Sequence, residues 1–140
     1  MRDEISTRCD AIEECYEFML AYAGQGLKGD EGSQSSGEVR EYLNRTVEAL
    51  SGLAEAYASA VKQHDLQPAE HYNAFFAVLD RDTRDSLAAI QLVLAQTTLS
   101  SQLIDNLNAS IHLRALLTDL FLIDEILKPQ QLLAKPVITG

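Results

Sequence analysis

The chain has 140 residues, 46% of them hydrophobic, and a formal net charge of −10 from 21 acidic against 11 basic side chains. One domain of this length buries enough apolar surface to fold without a disulfide or a structural metal, and its charge repels phosphate backbones and anionic lipid headgroups. Neither nucleic acid nor a membrane surface is an expected partner, and no cofactor is expected.

The composition is rich in Ala and Leu, lacks Trp and has only three prolines, at Pro68, Pro129 and Pro136. Such residues lose least on entering a helix, so the fold class is all-α. Met1-Arg2-Asp3-Glu4 offers neither a cationic nor an apolar leader segment, and no apolar run reaches the length of a membrane span. A cytoplasmic protein is expected. The periodicity divides the chain into one helical-bundle domain over 1–128 and a C-terminal tail over 129–140.

The first helix is predicted from Asp3 to Ala23, because Ile5, Cys9, Ile12, Tyr16, Met19 and Ala23 recur at helical spacing. Ala11, Cys15, Phe18 and Tyr22 widen the apolar face beyond a coiled-coil seam. Cys9 and Cys15 are separated by about 9 Å of rise and roughly 120° of rotation. They cannot pair without breaking the helix and are expected as free thiols. Asp3, Glu4, Asp10, Glu13, Glu14 and Glu17 cluster on the same helix and form a solvated face, with a basic protein partner as the sharper alternative.

From Gly24 to Gly37 the chain holds five of its seven glycines and three serines, the composition of a long mobile loop between the first and second helices. Gly24, Gly26 and Gly29 match G-x-G-x-x-G formally. A phosphate-binding turn needs a strand before those glycines and a helix opening on them, and neither is present. Ser35 and Glu38 have capping-box spacing and open the second helix. Val39, Leu43, Thr46, Leu50, Leu53, Tyr57 and Ala60 carry it to about Gln63. Ser51 and Gly52 lie inside that span, where a glycine either lets a neighbouring helix approach closely or is simply tolerated.

Pro68 suits the first position of the third helix after a turn over His64 to Gln67. Tyr72, Phe75, Phe76 and Leu79 stay in phase with Leu87, Ile90, Val93 and Leu94 across the charged run from Asp80 to Ser86, so one helix is predicted to Gln96. Asp80 with Arg84 and Arg81 with Asp85 support it as i,i+4 pairs, and Thr83 and Ser86 fall on the core stripe.

The fourth helix is predicted from Thr97 or Thr98 to Leu127. Leu99, Leu103, Ile104, Leu107 and Ile111 share a face opposite Ser101, Asp105, Asn108 and His112. Beyond that the apolar centre rotates by well over 90°, which demands a bend near Asn108 to Ser110 or a different partner for the second half. The surplus of apolar residues there assigns an interface to Leu116, Leu120, Ile123 and Leu127. The tail carries Leu132, Leu133, Val137 and Ile138, which either drape over the bundle, hook onto another subunit or form a frayed terminus.

Chemistry-bearing motifs are sparse. There is no Glu-x-x-His pair, and His64, His71 and His112 are scattered, so no metal is expected. No nucleophile elbow, phosphate loop or paired-cysteine motif occurs. In an antiparallel bundle with short turns, Ser51, Thr83, Ser86 and Arg114 fall near one height. Such a layer suits a small anion, unless Arg114 merely pairs with Asp82 or Asp85 to fix helix register.

The expectation is an antiparallel four-helix bundle serving as a small acidic accessory or regulatory protein. It acts by protein–protein association, as a homodimer through the second half of the fourth helix. The alternative is a ligand-sensing bundle or small enzyme with an anion pocket around Arg114. Catalysis has the least support, because no acid, base or nucleophile sits beside a group that would tune it.

Overall fold

The computed structural model describes residues 2–29 and 36–128. Ser35 of the predicted capping box and the tail over 129–140 lie outside the described residues. Every regular element among them is helical: α1 (Arg2–Ala23), α2 (Ser36–Leu50), α3 (Leu53–Gln63), α4 (Ala69–Leu94), α5 (Ser101–Asn108) and α6 (Ile111–Leu127). Six helices thus replace the predicted four, because the second and fourth are each divided.

The first division is a backbone event. Gly52 adopts φ +89 and ψ 5, a left-handed conformation that only glycine takes without penalty. The sequence reads this glycine as a close helix approach or a tolerated residue; its role is instead to end α2 and open α3. The Arg8 guanidinium, not a neighbouring backbone, stands 3.5 Å from where a Cβ would be. From α1, Arg8 Nη1 donates to the carbonyls of Glu48, Ala49 and Ser51 at 3.0, 3.0 and 2.6 Å. These carbonyls lie at the C-terminal end of α2, where helical donors run out. The apolar stripe survives the break, and all seven residues from Val39 to Ala60 named above are buried.

The second division falls at Ala109 and Ser110, where the apolar phase rotates. The Ser110 hydroxyl accepts from the Leu113 N–H at 3.4 Å and caps α6. Restarting the helix here lets α6 turn a new stripe inward, with Leu113, Leu116, Leu117, Leu120, Ile123 and Leu127 all buried. Ile111, placed by the sequence with Leu107 on the core face, becomes the first residue of α6 and is 75% exposed. Ser101 and Asn108, assigned to a polar face, are buried.

By contrast, α4 runs unbroken through its charged middle, with Arg84 Nε 2.9 Å from Asp80. Pro68 stands one position earlier than predicted, as the extended residue before the helix. At the other end, the Arg40 guanidinium donates to the carbonyls of Leu94, Gln96 and Thr97 at 3.1, 2.8 and 3.1 Å. A second planar fork of donors thereby closes a second helix end.

Of the loop predicted over 24–37, residues 30–35 lie outside the described residues, and the stretch 24–29 is tied to α5 through Leu27. The Ser101 hydroxyl donates to the Tyr22 carbonyl at 2.7 Å and accepts from the Leu27 N–H at 2.8 Å, while the Ser101 N–H donates to the Leu27 carbonyl at 2.9 Å. The buried Tyr22 hydroxyl donates to the Leu99 carbonyl at 2.6 Å. Together these bonds fasten the end of α1 to the start of α5. In the core, α1 packs on α2, α3 and α5, and α4 packs on α2, α3, α5 and α6.

Candidate functional site

The four residues predicted to form an anion layer separate into three places. Thr83 and Ser86 are both buried on the α4 face that meets α6. Ser86 Oγ donates to the His112 carbonyl at 2.9 Å, tying α4 to the first turn of α6. Thr83 Oγ1 is buried with no hydrogen-bond partner among the described residues. Ser51 is exposed at the α2–α3 break, its hydroxyl on the Val47 carbonyl at 2.9 Å and its own carbonyl on Arg8. Arg114 is also exposed, beside an open depression formed with Ala109, Ile111, Ala115, Thr118 and Asp119. It holds no ion pair among the described residues, so the register pair with Asp82 or Asp85 is not formed.

Asp82 meets a different partner. It is the nearest charged influence on Asp119 of α6, which is only 9% exposed and whose Oδ2 has no hydrogen-bond partner among the described residues. Burial, followed by Asp82, raises Asp119 from 3.8 to about 7. This carboxyl pair was missed from the sequence because 37 positions separate its members and no spacing rule connects them.

A second buried polar group joins three helices. Tyr57 on α3 is fully buried, and its hydroxyl donates to Asp124 Oδ1 of α6 at 3.1 Å and stands 3.4 Å from Cys9 Sγ of α1. Burial raises the Cys9 thiol to about 12, and Cys15, also buried, to about 11. Burial likewise raises Asp124 and Tyr57. A thiol kept protonated is a poor nucleophile, so this cluster fastens helices and offers no reactive sulfur.

The predicted interface requires the largest correction. Leu116, Leu120, Ile123 and Leu127 are 0–2% exposed and belong to the chain's own core. The outward side of α6 carries other residues: Ile111, Phe121, Leu122 and Ile126 are 75%, 59%, 51% and 43% exposed. Leu122 and Ile126 also line an apolar groove against Pro68, His71, Tyr72 and Phe75 at the start of α4. The sequence carried the signal: α6 has two apolar stripes, and the inward one is the more regular. Only the break at Ser110 decides which of them faces the core.

No three His, Cys, Asp or Glu side chains among the described residues converge on a possible metal position, and no described helix is long and apolar enough to cross a membrane. No protein-family model, curated protein or solved structure matches this chain.

Proposed function

We propose that this protein works by association, as a small acidic accessory or regulatory protein that forms a homodimer through the outward face of α6. The observation that carries this reading is the exposure of Phe121, Leu122 and Ile126 beside the Tyr72–Phe75 groove. Fully burying side chains of this size contributes about 1.5–3 kcal/mol each, so leaving a contiguous set in water is costly unless a partner covers it. In the same reading, α2 with α3 and α5 with α6 act as two bent rods of an antiparallel four-helix bundle. The unbroken burial of the Val39–Ala60 stripe supports that description. The charge of −10 argues against nucleic acid and anionic membranes, and two buried free thiols fit a cytoplasmic setting.

What supports a ligand site is the buried, unpartnered Thr83 hydroxyl, although Asn108 Oδ1 and Asp119 Oδ2 are likewise buried without a partner among the described residues. Arg114 faces solvent rather than this position, which weakens the case for an anion.

Light scattering at tens of micromolar tests association. The expected mass is twice 15.4 kDa, and Leu122→Glu is expected to give a folded monomer, since the residue is half exposed within one chain. A monomeric mass for the unaltered protein overturns the proposal.

A further inference from the structure

Along the outer face of α6, Ile111, Ala115, Thr118, Leu122 and Ile126 follow one another at steps of four, three, four and four. At 100° per residue these five stay within an arc of about 80°, and they span about 22 Å of helix. All are exposed except Ala115, which is half-buried. The step pattern is that of a seam between two helices.

Arg114, Phe121 and Glu125 lie together along one edge of this stripe, and all three are exposed. The opposite edge carries Asp119, which turns inward toward Asp82. In a parallel pair of α6 helices opposite edges meet, so Arg114 would face the Asp119 edge of the second copy, where the carboxyl turns inward toward Asp82 and Phe121 and Glu125 lie on the far side. In an antiparallel pair the same edges meet, and the positions opposite Arg114 are Phe121 and Glu125.

We propose that two copies of this chain pair through α6 antiparallel, about a two-fold axis between Thr118 and Asp119, with each Arg114 seated between Phe121 and Glu125 of the second copy. The occupant of the stripe is a second copy because the stripe is complementary to itself. Ile111 faces Ile126 and Ala115 faces Leu122 across the axis, so apolar meets apolar. The guanidinium meets a ring face and a carboxylate, a cation–π contact and an ion pair made twice by symmetry. The outer edge carries one cation and one anion per copy, Arg114 and Glu125, so this edge adds no net charge to the contact.

This inference rests on the proposed homodimer and specifies its orientation, so the test separates the two. The native cysteines are both buried, and the unaltered chain serves as the control for new thiols. Ile111→Cys and Ile126→Cys variants are mixed, oxidised and mapped by peptide mass spectrometry. The antiparallel pair predicts the 111–126 disulfide between copies and little 111–111, because those two positions lie about 22 Å apart along the seam. In a second measurement, Arg114→Glu is expected to weaken self-association about tenfold, and the double exchange Arg114→Glu with Glu125→Arg to recover most of it. A dimer that yields 111–111 disulfides, or neither link, overturns the orientation and leaves the homodimer standing. A chain that stays monomeric at every concentration overturns both, and leaves the stripe to a different protein or to residues 129–140.

Discussion

Asp119 is the residue whose environment most alters its chemistry. In an unfolded chain an aspartate releases its proton near 3.8, whereas in the fold Asp119 keeps it to about 7. Between these values the folded chain binds more protons than the unfolded one, so stability falls as pH rises through that window. Glu13 and Asp124, both raised chiefly by burial, add to the slope with the same sign. Asp119→Asn removes the ionisation. Urea denaturation is expected to show the variant more stable than the parent at pH 8, on the order of 1–2 kcal/mol. Near pH 4 the two should coincide. A parent stability that rises from pH 5 to pH 8 would remove the retained proton from the structure's account.

At the level of elements, two arginines substitute for missing helical hydrogen bonds. Arg8 serves three carbonyls at the end of α2, so Arg8→Ala leaves them without donors and is expected to cost about 1–3 kcal/mol in denaturant titration. Arg8→Lys should restore part of that loss, since one ammonium can still reach the carbonyls that Nη1 serves but loses the Nε and Nη2 bonds to Glu4 that hold the side chain in place. Arg45→Ala, which removes an exposed i,i+4 pair with Glu41, provides the comparison and should stay within about 0.5 kcal/mol. Helix positions were legible in the sequence because apolar stripes follow the helical period. The core stripe from Val39 to Ala60 and the unbroken α4 came from that rule alone. The ends of elements were less legible. Gly52 in a left-handed conformation looks the same in sequence as a glycine packed inside a helix, and the arginine that makes its break tolerable lies 44 positions away. The turn at Ser110 did announce itself, as a rotation of the apolar phase. Its consequence is harder to read, because the sequence of α6 presents its apolar residues as one surplus. The helix has two sides, and Leu116, Leu120, Ile123 and Leu127 form the inner one. Ser101 was placed on a polar face for lack of any local sign that the turn at 24–29 would reach it.

For the molecule as a whole, the exposed apolar residues of α6, with Arg114 and Glu125 as the charged pair at their edge, set where contact is tolerated. If folding and self-association are linked, thermal stability must depend on protein concentration. A tenfold increase in concentration is expected to raise Tm by roughly 2–5 °C for the parent chain and to leave Leu122→Glu unchanged, read by circular dichroism. Equal melting temperatures for the parent at all concentrations would separate the fold from any dimer. The fastening of α1 through Ser101 carries a different implication, for the order of events during synthesis. Tyr22 bonds to Leu99 and Ser101 to Leu27 across 77 and 74 positions. Local helix formation precedes contacts this distant in sequence, because a large loop must first be closed. While the ribosome is still making the first hundred residues, α1 has formed without the group that will receive its C-terminal end. Most of its apolar side meets α2 and α3 as they emerge, but the end around Tyr22 waits on the last third of the chain. That interval is when the nascent protein is most open to capture by a chaperone.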